Sequence, residues 1–350
     1  MIVIDKYIPF LAEAVQQHWS DVCLRALEPS AIDAEAVRDA DVLVIRTRTQ
    51  VNEALLRGSK VRLVCTATIG FDHIDTAYCD AQGIAWMSCP GCNAQAVCDY
   101  IEEVLTTHYS LLTTHHSLLT THHSLLTTHY SLLPTGQGSG VGLCMGVVGV
   151  GHVGSLVAQM AKRLGMTVLL HDAPKGIGVS LETIACECDV ITFHTPLTHT
   201  GDYPTYHLCD ASFLAQCKPN ALIINAARGG VVDEKALLAS GREYVLDTWE
   251  CEPDIDLDVL RHARLASMHI AGYSMLGKRN ATQMCLDAIA HAFGYAPIVL
   301  PTSFSAPGDS AAGWLSRLTE QMRTQLDGQV NDTQSVASVF ESLRKSYPLR

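Results

Sequence analysis

Residues 149–154, Gly149-Val-Gly-His-Val-Gly154, decide the fold of this chain because of what flanks them. An apolar run, residues 141–148, precedes them, and apolar residues at helical spacing follow. The first glycine allows a tight turn out of a strand, the second allows close approach to the backbone, and the third lets helix and sheet pack. The helix start then offers N–H groups and a positive dipole end to an anion. We therefore predict a strand–turn–helix unit that binds a dinucleotide through Gly149, Gly151, His152, Val153 and Gly154.

An aspartate supports this interpretation. Asp172 lies 18 residues beyond Gly154, after a second predicted strand at 168–170. A carboxylate at that point can accept hydrogen bonds from both ribose hydroxyls and would repel a 2′-phosphate, so the sequence favours NAD over NADP. A glycine turn with a purely structural role is the alternative, and the joint presence of strand, helix and acid disfavours it.

Composition narrows the class of protein. The chain has 350 residues, 48% of them apolar, which is enough for two or three domains. Its formal charge of −12 disfavours nucleic acid or an anionic membrane as the main partner, so an anionic substrate would need a local cluster of Arg or Lys. Asp5 stands where a secretory segment would be apolar, and the 13 cysteines are scattered, which favours reduced thiols in the cytoplasm. Cys89-Pro-Gly-Cys92 is expected to be a turn, and no metal site is expected.

Short apolar strands alternate with helical patterns in two series. The first series includes strands at 2–4, 41–46 and 61–66, and the second runs from Leu143 to a strand at 265–268. Such alternation predicts parallel sheets with helices on both faces, and hence two doubly wound α/β domains. After about residue 301, a linker leads to two amphipathic patterns that we expect to pack on a partner subunit.

Residues 106–133 contain four heptads: TTHYSLL, TTHHSLL, TTHHSLL and TTHYSLL. A transmembrane helix is excluded because each heptad has only two leucines, and its other five residues are polar or semi-polar. The period suits a coiled coil, but Thr, Ser and His are poor helix formers and flanking charges are missing. We expect solvated histidines rather than a metal site, followed by a flexible linker at 134–140.

Three strands are each followed by a residue that could take part in chemistry: Arg228, Glu252 and His269 after strands 221–224, 244–246 and 265–268. Because the carboxyl ends of parallel strands meet at one edge of a sheet, these side chains form a coherent set for moving a hydride and a proton. His269 would take a hydroxyl proton, Glu252 would orient the imidazole, and Arg228 would hold a carboxylate through two parallel bonds. Taken singly, each would be an ordinary surface ion pair or core histidine.

The chain resembles the D-2-hydroxyacid dehydrogenase family and, within it, the branch that oxidises 4-phospho-D-erythronate in vitamin B6 biosynthesis. Besides the glycine turn and the three strand-end motifs, the resemblance rests on residues 46–56, 67–75, 90–94, 193–197 and 340–347. It covers nearly the whole chain. It implies an α/β fold with two doubly wound parallel-sheet domains, one Rossmann-type and one flavodoxin-like, and a small C-terminal α+β dimerisation domain.

The resemblance also implies roles for individual residues. Arg228, Glu252 and His269 would be catalytic, with His269 as the proton donor. NAD would contact Asp172, Thr195, Asp247 and Gly272, and the phosphorylated 2-hydroxy acid would contact Thr47, Thr68 and Tyr273. Arg46 and Arg48 are candidates for charge near a substrate phosphate, although Arg48 could equally be a solvent-facing strand-end residue.

The implied domains are a substrate domain at 1–100 and 270–295, an interdomain helix with the heptad insertion and linker at 101–140, an NAD-binding domain at 141–269, and a dimerisation domain at 296–350. A cytoplasmic homodimer is expected. The insertion of about 25 residues departs from the family pattern; it could be an added arm or an unordered expansion. Two alternatives stay open: a dehydrogenase of another D-2-hydroxy acid such as 3-phosphoglycerate or glycerate, and an NAD-sensing binding protein like the corepressors that share this fold.

Overall fold

A computed structural model describes residues 1–119, 142–302, 313–329 and 335–348. The chain forms two compact units. The first unit comprises Met1–Asn93 and Tyr273–Ala306, and the second comprises Ala94–Gly272 and Pro307–Arg350. The predicted nucleotide-binding region, 141–269, falls within the second unit. Among the described residues, no helix is both long and apolar enough to cross a bilayer.

Strands and helices alternate along most of the described chain. The strands are β1 (Ile2–Asp5), β2 (Leu24–Leu27), β3 (Val42–Ile45), β4 (Leu63–Thr66), β5 (Ala85–Met87), β6 (Cys144–Val148), β7 (Thr167–Asp172), β8 (Ile177–Gly178), β9 (Val190–Phe193), β10 (Leu222–Asn225), β11 (Tyr244–Leu246) and β12 (Leu265–Ala266). The α-helices are α1 (Leu11–His18), α2 (Ala34–Val37), α3 (Glu53–Leu56), α4 (Thr76–Gln82), α5 (Ala94–Leu119), α6 (His152–Arg163), α7 (Leu181–Glu187), α8 (Ala211–Gln216), α9 (Glu234–Ser240), α10 (Leu257–His262), α11 (Met275–Phe293), α12 (Trp314–Gln329) and α13 (Val336–Ser346).

The described part of the first unit contains a five-stranded parallel sheet in the order β2-β1-β3-β4-β5. Strands β1, β3 and β4 are fully buried, which explains their continuous apolar sequences and confirms their prediction. Strands β2 and β5 were not predicted, because these edge strands are short and partly exposed and lack a clear apolar pattern. The C-x-x-C segment is a turn, as predicted, and all 13 cysteines are free thiols.

The described part of the second unit contains a seven-stranded sheet in the order β12-β11-β10-β9-β6-β7-β8. All neighbours are parallel except β7 and β8, which pair antiparallel at one edge. The strand order reverses at β6, since β7 lies on one side of it and β9 on the other. In open α/β sheets, ligands bind at the carboxyl ends of the strands at such a reversal. The predicted doubly wound architecture is confirmed, and the glycine turn follows β6.

Helix α5 continues through the first two heptads and includes Leu119; the other two heptads lie outside the described residues. The expectation of solvated histidines is wrong for His108, which is only 4% exposed. Burial, followed by the charge of Arg264, lowers the pKa of His108 to about 4, so this side chain is neutral at pH 7. Its neighbours are Glu243, just before β11, whose Oε2 lies 3.7 Å from the His108 Nε2, and Arg264, just before β12. The other histidines of the repeat lie beyond the described side chains.

The tail forms the two amphipathic helices that its sequence predicts. Helix α12 packs against β12 and α10, and α13 packs on α12. The apolar residues at helical spacing pack within the chain itself, whereas packing on a partner subunit is the prediction. Val336 is half-buried, and the buried ones are Leu315, Leu318, Met322, Val339, Phe340 and Leu343. In its described part the tail is helical, and its role in dimerisation stays a prediction.

Candidate active site

The turn between β6 and α6 needs its glycines for three different reasons. Gly149 has a φ of +92°, and a Cβ there would lie 2.7 Å from the carbonyl oxygen of His194. A Cβ on Gly154 would overlap the carbonyl oxygen of Gly149. At Gly151, by contrast, no described atom lies within 4 Å of a Cβ position. Packing therefore requires the first and third glycines, and the second leaves room for a phosphate to reach the start of α6.

Asp172 anchors this turn. Its Oδ2 accepts a hydrogen bond from the backbone N–H of Val150 at 2.8 Å and lies 3.2 Å from the Nζ of Lys175. Lys175 also donates to the carbonyl of Val150 at 2.7 Å. In the described chain Oδ1 has no assigned partner, so one oxygen is available to a ligand while the other fixes the loop.

Thr195 provides the test of whether a dinucleotide fits. Its Oγ1 is buried and has no hydrogen-bond partner among the described residues, and its Cγ2 would lie 3.0 Å from a Cβ on Gly149. A buried hydroxyl without a partner needs an explanation, and a polar ligand bound beside the turn is one that would satisfy it. The turn, the acid and the hydroxyl together fit NAD. His152 and Val153 form the first positions of α6, and Gly272 ends the continuous part of the second unit.

The three candidate catalytic side chains follow adjacent parallel strands, β10, β11 and β12. The turn that carries Arg228 is held by Asn225, whose Nδ2 donates to the Arg228 carbonyl at 2.9 Å and whose Oδ1 accepts from the N–H of Ala227 at 3.1 Å. The Arg228 side chain is exposed, and within the described chain no carboxylate lies in ion-pair range of its guanidinium. It can therefore bind a carboxylate from a ligand.

Glu252 and His269 form a hydrogen-bonded pair. Nδ1 of His269 lies 2.5 Å from Oε1 of Glu252, and the N–H of Trp249 donates to Oε2 at 3.2 Å. Burial alone would raise the pKa of Glu252, but the hydrogen bond and charge of His269 and the Trp249 N–H outweigh it, and the net pKa is lowered. Glu252 is therefore an ionised acceptor that fixes the orientation of the imidazole at neutral pH.

Asp247 builds the loop that holds His269. Its buried carboxylate accepts from Ser267 Oγ at 2.6 Å and from the N–H groups of Ile270 and Ala271 at 2.7 and 2.9 Å. Its carbonyl accepts the N–H of His269 at 2.7 Å. Two carboxylate oxygens can accept about four hydrogen bonds. The predicted contact between Asp247 and NAD therefore remains feasible, and the structure adds this loop-building role.

Glu234 is a functional candidate that sequence reasoning missed. It is 5% exposed at the start of α9, and its Oε1 accepts the N–H of Glu250 at 2.7 Å. Burial raises the pKa of Glu234 to about 7. Glu250 belongs to the loop that carries Glu252, so Glu234 helps to fix the position of that loop. Its place in the first turn of a helix resembled an ordinary capping acid, which hid this role.

In the first unit, Arg46 is committed to a buried acid. Its Nε and Nη2 donate to the two carboxylate oxygens of Asp5 at 2.8 and 3.3 Å, and Asp5 is fully buried. Arg46 is thus paired with a buried acid while 29% of its side chain stays exposed, and its place near a substrate phosphate stays a prediction. Thr47 and Arg48 are exposed, and among the described residues Arg48 has no ion pair.

Thr68 and Tyr273, the other predicted substrate contacts, also lie in the first unit. The hydroxyl of Thr68 donates to the carbonyl of Gly70 at 2.9 Å and lies 2.7 Å from Oγ1 of Thr66. The hydroxyl of Tyr273 accepts from Lys278 at 3.2 Å. Both hydroxyls retain a lone pair for a ligand.

Comparison with known proteins establishes the family. Residues 135–271 match the family described as D-isomer specific 2-hydroxyacid dehydrogenase, NAD binding domain. The erythronate-4-phosphate dehydrogenases of Bacteroides fragilis and Bacteroides thetaiotaomicron are both 39% identical to the chain, over 365 and 364 residues. Each alignment covers 100% of this chain and 96% of the relative. The chain belongs to the D-2-hydroxyacid dehydrogenase family.

Solved structures of other D-2-hydroxyacid dehydrogenases have the same fold. D-lactate dehydrogenase from Aquifex aeolicus, complexed with NAD and lactic acid, matches 84% of this chain and 96% of its own at a TM-score of 0.61 and 23% identity. A D-lactate dehydrogenase from Treponema pallidum matches 86% of this chain and 99% of its own at a TM-score of 0.64 and 22% identity. The family, the NAD cofactor and the oxidoreductase class are thereby confirmed as predicted.

Proposed function

We propose that this D-2-hydroxyacid dehydrogenase oxidises 4-phospho-D-erythronate to (R)-3-hydroxy-2-oxo-4-phosphooxybutanoate with NAD⁺, in the biosynthesis of pyridoxal 5′-phosphate. The observation that carries the proposal is the 2.5 Å pair of His269 and Glu252 at the strand edge that also bears Arg228. The substrate assignment is supported by the full-length similarity to relatives named for it.

Proton removal is the task of His269. Donation of the Nδ1–H to Glu252 places the lone pair of the neutral ring on Nε2, which is directed away from that carboxylate. Nε2 therefore accepts the proton of the substrate C2 hydroxyl, and the ionised Glu252 stabilises the imidazolium that results. Bound NAD⁺ would supply the acceptor for the hydride from C2, and the C2–O single bond would become a carbonyl as the proton passes to His269.

Orientation of the substrate is the task of Arg228. Its guanidinium can hold the C1 carboxylate by two parallel hydrogen bonds and polarise the neighbouring oxygen at C2. The residues that would hold NAD are those of the glycine turn together with Asp172, Thr195, Asp247 and Gly272. Thr47, Thr68 and Tyr273 are proposed to contact the substrate.

We further propose that the enzyme is a cytoplasmic homodimer. The support for the dimer is the resemblance to the family; α12 and α13 themselves bury their apolar residues against β12, α10 and one another. Free cysteines throughout the chain are in keeping with a reducing compartment.

A steady-state assay tests the substrate. The purified protein would be given NAD⁺ and 4-phospho-D-erythronate, 3-phospho-D-glycerate or D-glycerate, with 2-oxo acids added as acceptors to recycle tightly held NADH. We expect kcat/KM to be highest for the phosphorylated four-carbon acid. Equal or better activity on 3-phospho-D-glycerate would reject the substrate assignment. Tight NADH binding without turnover of any acid would favour the NAD-sensing alternative.

A further inference from the structure

The sequence predicts charge near a substrate phosphate for Arg46 and Arg48; Arg46 is paired with a buried acid, and Arg48 is exposed with no ion pair among the described residues. Arg46 forms two hydrogen bonds with the buried Asp5, so its positive charge is balanced by that carboxylate. Since the whole chain has a formal charge of −12, no general positive field replaces it. Besides the exposed Arg48, which follows β3, the carboxyl edge of this sheet bears a second cation.

Helix α11 begins at that edge. Phe293 at its end lies under the guanidinium of Arg62, which comes just before β4, so the helix ends at the amino edge. Further back, Cys285 lies 3.8 Å from Cys89, whose thiol donates to the carbonyl of Thr66 at the last position of β4.

One turn earlier still, Oγ1 of Thr282 donates to the carbonyl of Pro9, in the loop after β1, at 2.9 Å. The helix therefore runs from the carboxyl edge to the amino edge, and its first turns stand where the loops after β1, β3 and β4 emerge. Lys278 precedes Thr282 by one turn, so it lies at the carboxyl edge.

The ammonium group of Lys278 is not neutralised there. Its Nζ donates to the hydroxyl of Tyr273 at 3.2 Å and lies 4.3 Å from the centroid of that ring. In the described part of the chain, no carboxylate lies within ion-pair distance of it. The Lys278 side chain is half-buried, so its ammonium group has a more restricted position than that of a fully exposed lysine.

The start of α11 adds to this electrostatic setting. Ser274 caps the helix by accepting the N–H of Gly277 at 3.0 Å, and the 19-residue helix directs its positive dipole end toward the same edge. Both the helix start and Lys278 favour an anion at this point.

We propose that Lys278, with the hydroxyl of Tyr273 and the first turn of α11, forms the subsite for the substrate phosphate. This inference rests on the proposed function, since it assigns the part of the site that distinguishes a phosphorylated acid from a plain one. Lysine binds phosphate as a point charge, and a phosphate dianion would replace the Tyr273 oxygen as the main partner of Nζ.

Equilibrium binding tests the subsite. The affinity of the enzyme–NADH complex for 4-phospho-D-erythronate, D-erythronate and inorganic phosphate would be measured by calorimetry for the wild type, Lys278→Met and Lys278→Arg. Lys60→Met is the control, because Lys60 pairs with Asp39 at 2.8 Å on the surface of the same unit.

We expect Lys278→Met to lower the affinity for 4-phospho-D-erythronate by about 10- to 100-fold, the usual range for loss of a charged hydrogen bond. The ratio of this affinity to that for D-erythronate should fall by a similar factor. Phosphate affinity should fall with it, Lys278→Arg should recover most of the loss, and Lys60→Met should match the wild type.

Unchanged affinity for 4-phospho-D-erythronate in Lys278→Met, or an equal loss for D-erythronate, would overturn the subsite. A wild type that binds inorganic phosphate through Lys278 but does not turn over 4-phospho-D-erythronate would overturn the proposed function and leave the subsite standing.

Discussion

Nδ1 of His269 and Oε1 of Glu252 meet at 2.5 Å although the two residues are 17 positions apart. The His269 backbone has a φ of +58°, in the left-handed region that histidine rarely adopts. The surrounding loop, held by the carboxylate of Asp247, keeps it there. Strained backbone at a histidine that carries an ionised partner is typical of a catalytic position.

His269→Ala tests this role. Removal of the general base should lower kcat by about 10²- to 10⁴-fold, because proton transfer from the C2 hydroxyl loses its acceptor. NAD affinity should be retained, since the imidazole does not contact the glycine turn. Fluorescence titration with NADH, together with steady-state kinetics, checks both statements; a matching loss of NADH affinity would contradict the assigned division of roles.

Asp172→Asn separates charge from loop anchoring. The asparagine can still accept the N–H of Val150 through its amide oxygen, so the turn should keep its shape. Loss of the negative charge should raise the kcat/KM for NADP⁺ relative to that for NAD⁺ by about tenfold or more. Position 172 would no longer repel a 2′-phosphate, and Lys175, which lies beside residue 172, could attract it. Asp172→Ala should in addition weaken NAD⁺ itself. An unchanged cofactor ratio in Asp172→Asn would remove Asp172 from the ribose site.

Gly151→Ala and Gly154→Ala form a matched pair. A Cβ at Gly154 overlaps the Gly149 carbonyl, so Gly154→Ala should lower the melting temperature by several degrees. A Cβ at Gly151 meets no described atom, so Gly151→Ala should unfold like the wild type yet bind NAD⁺ at least tenfold more weakly. Calorimetric unfolding without cofactor and NADH titration would distinguish the two. Equal destabilisation by both substitutions would be the contrary result.

Glu234→Gln should change how stability depends on pH. The pKa of Glu234 in the folded protein, about 7, lies above the ordinary value of 4.5, so between these values the folded state holds a proton that the unfolded state has lost. The free energy of unfolding of the wild type therefore falls as pH rises from 4.5 to 7, by about 3 kcal/mol from this group.

Glutamine does not titrate, so the stability difference between Glu234→Gln and the wild type should increase by about this amount from pH 5 to pH 8. Urea unfolding of both proteins at several pH values measures that difference. A difference that stays constant over the range would show that Glu234 is ionised throughout.

The local motif was predictable because the chemistry of a glycine turn depends on neighbours in sequence. Gly149, Gly151 and Gly154 act over six residues, with a strand before and a helix after. The pairing of Glu252 with His269 was also predictable in outline, since each follows a strand and parallel strands end at a common edge, as does the strand before Arg228. Their distances did not follow from that pattern.

Other features depend on contacts between distant segments. Arg46 is 41 residues from Asp5, and nothing in its own motif indicates that β1 and β3 are neighbours. His108 belongs to a polar repeat, yet it is buried beside Glu243 and Arg264, which are distant in sequence. In sequence Glu234 resembles a capping acid, and only the folded chain brings the loop after β11 into hydrogen-bond contact with it.

By itself, the sequence determined where the glycine turn lies, that the cofactor is NAD and which residues stand at strand ends, because these depend on spacing along one segment. Only the tertiary structure decided which charges are already used and which remain for a ligand. The physical reason is that the charge of a guanidinium, ammonium or carboxylate is neutralised by an opposite charge within about 4 Å of it, wherever that group lies in the sequence. For Arg46 and Lys278 those neighbours are set by the packing of the sheet and of α11.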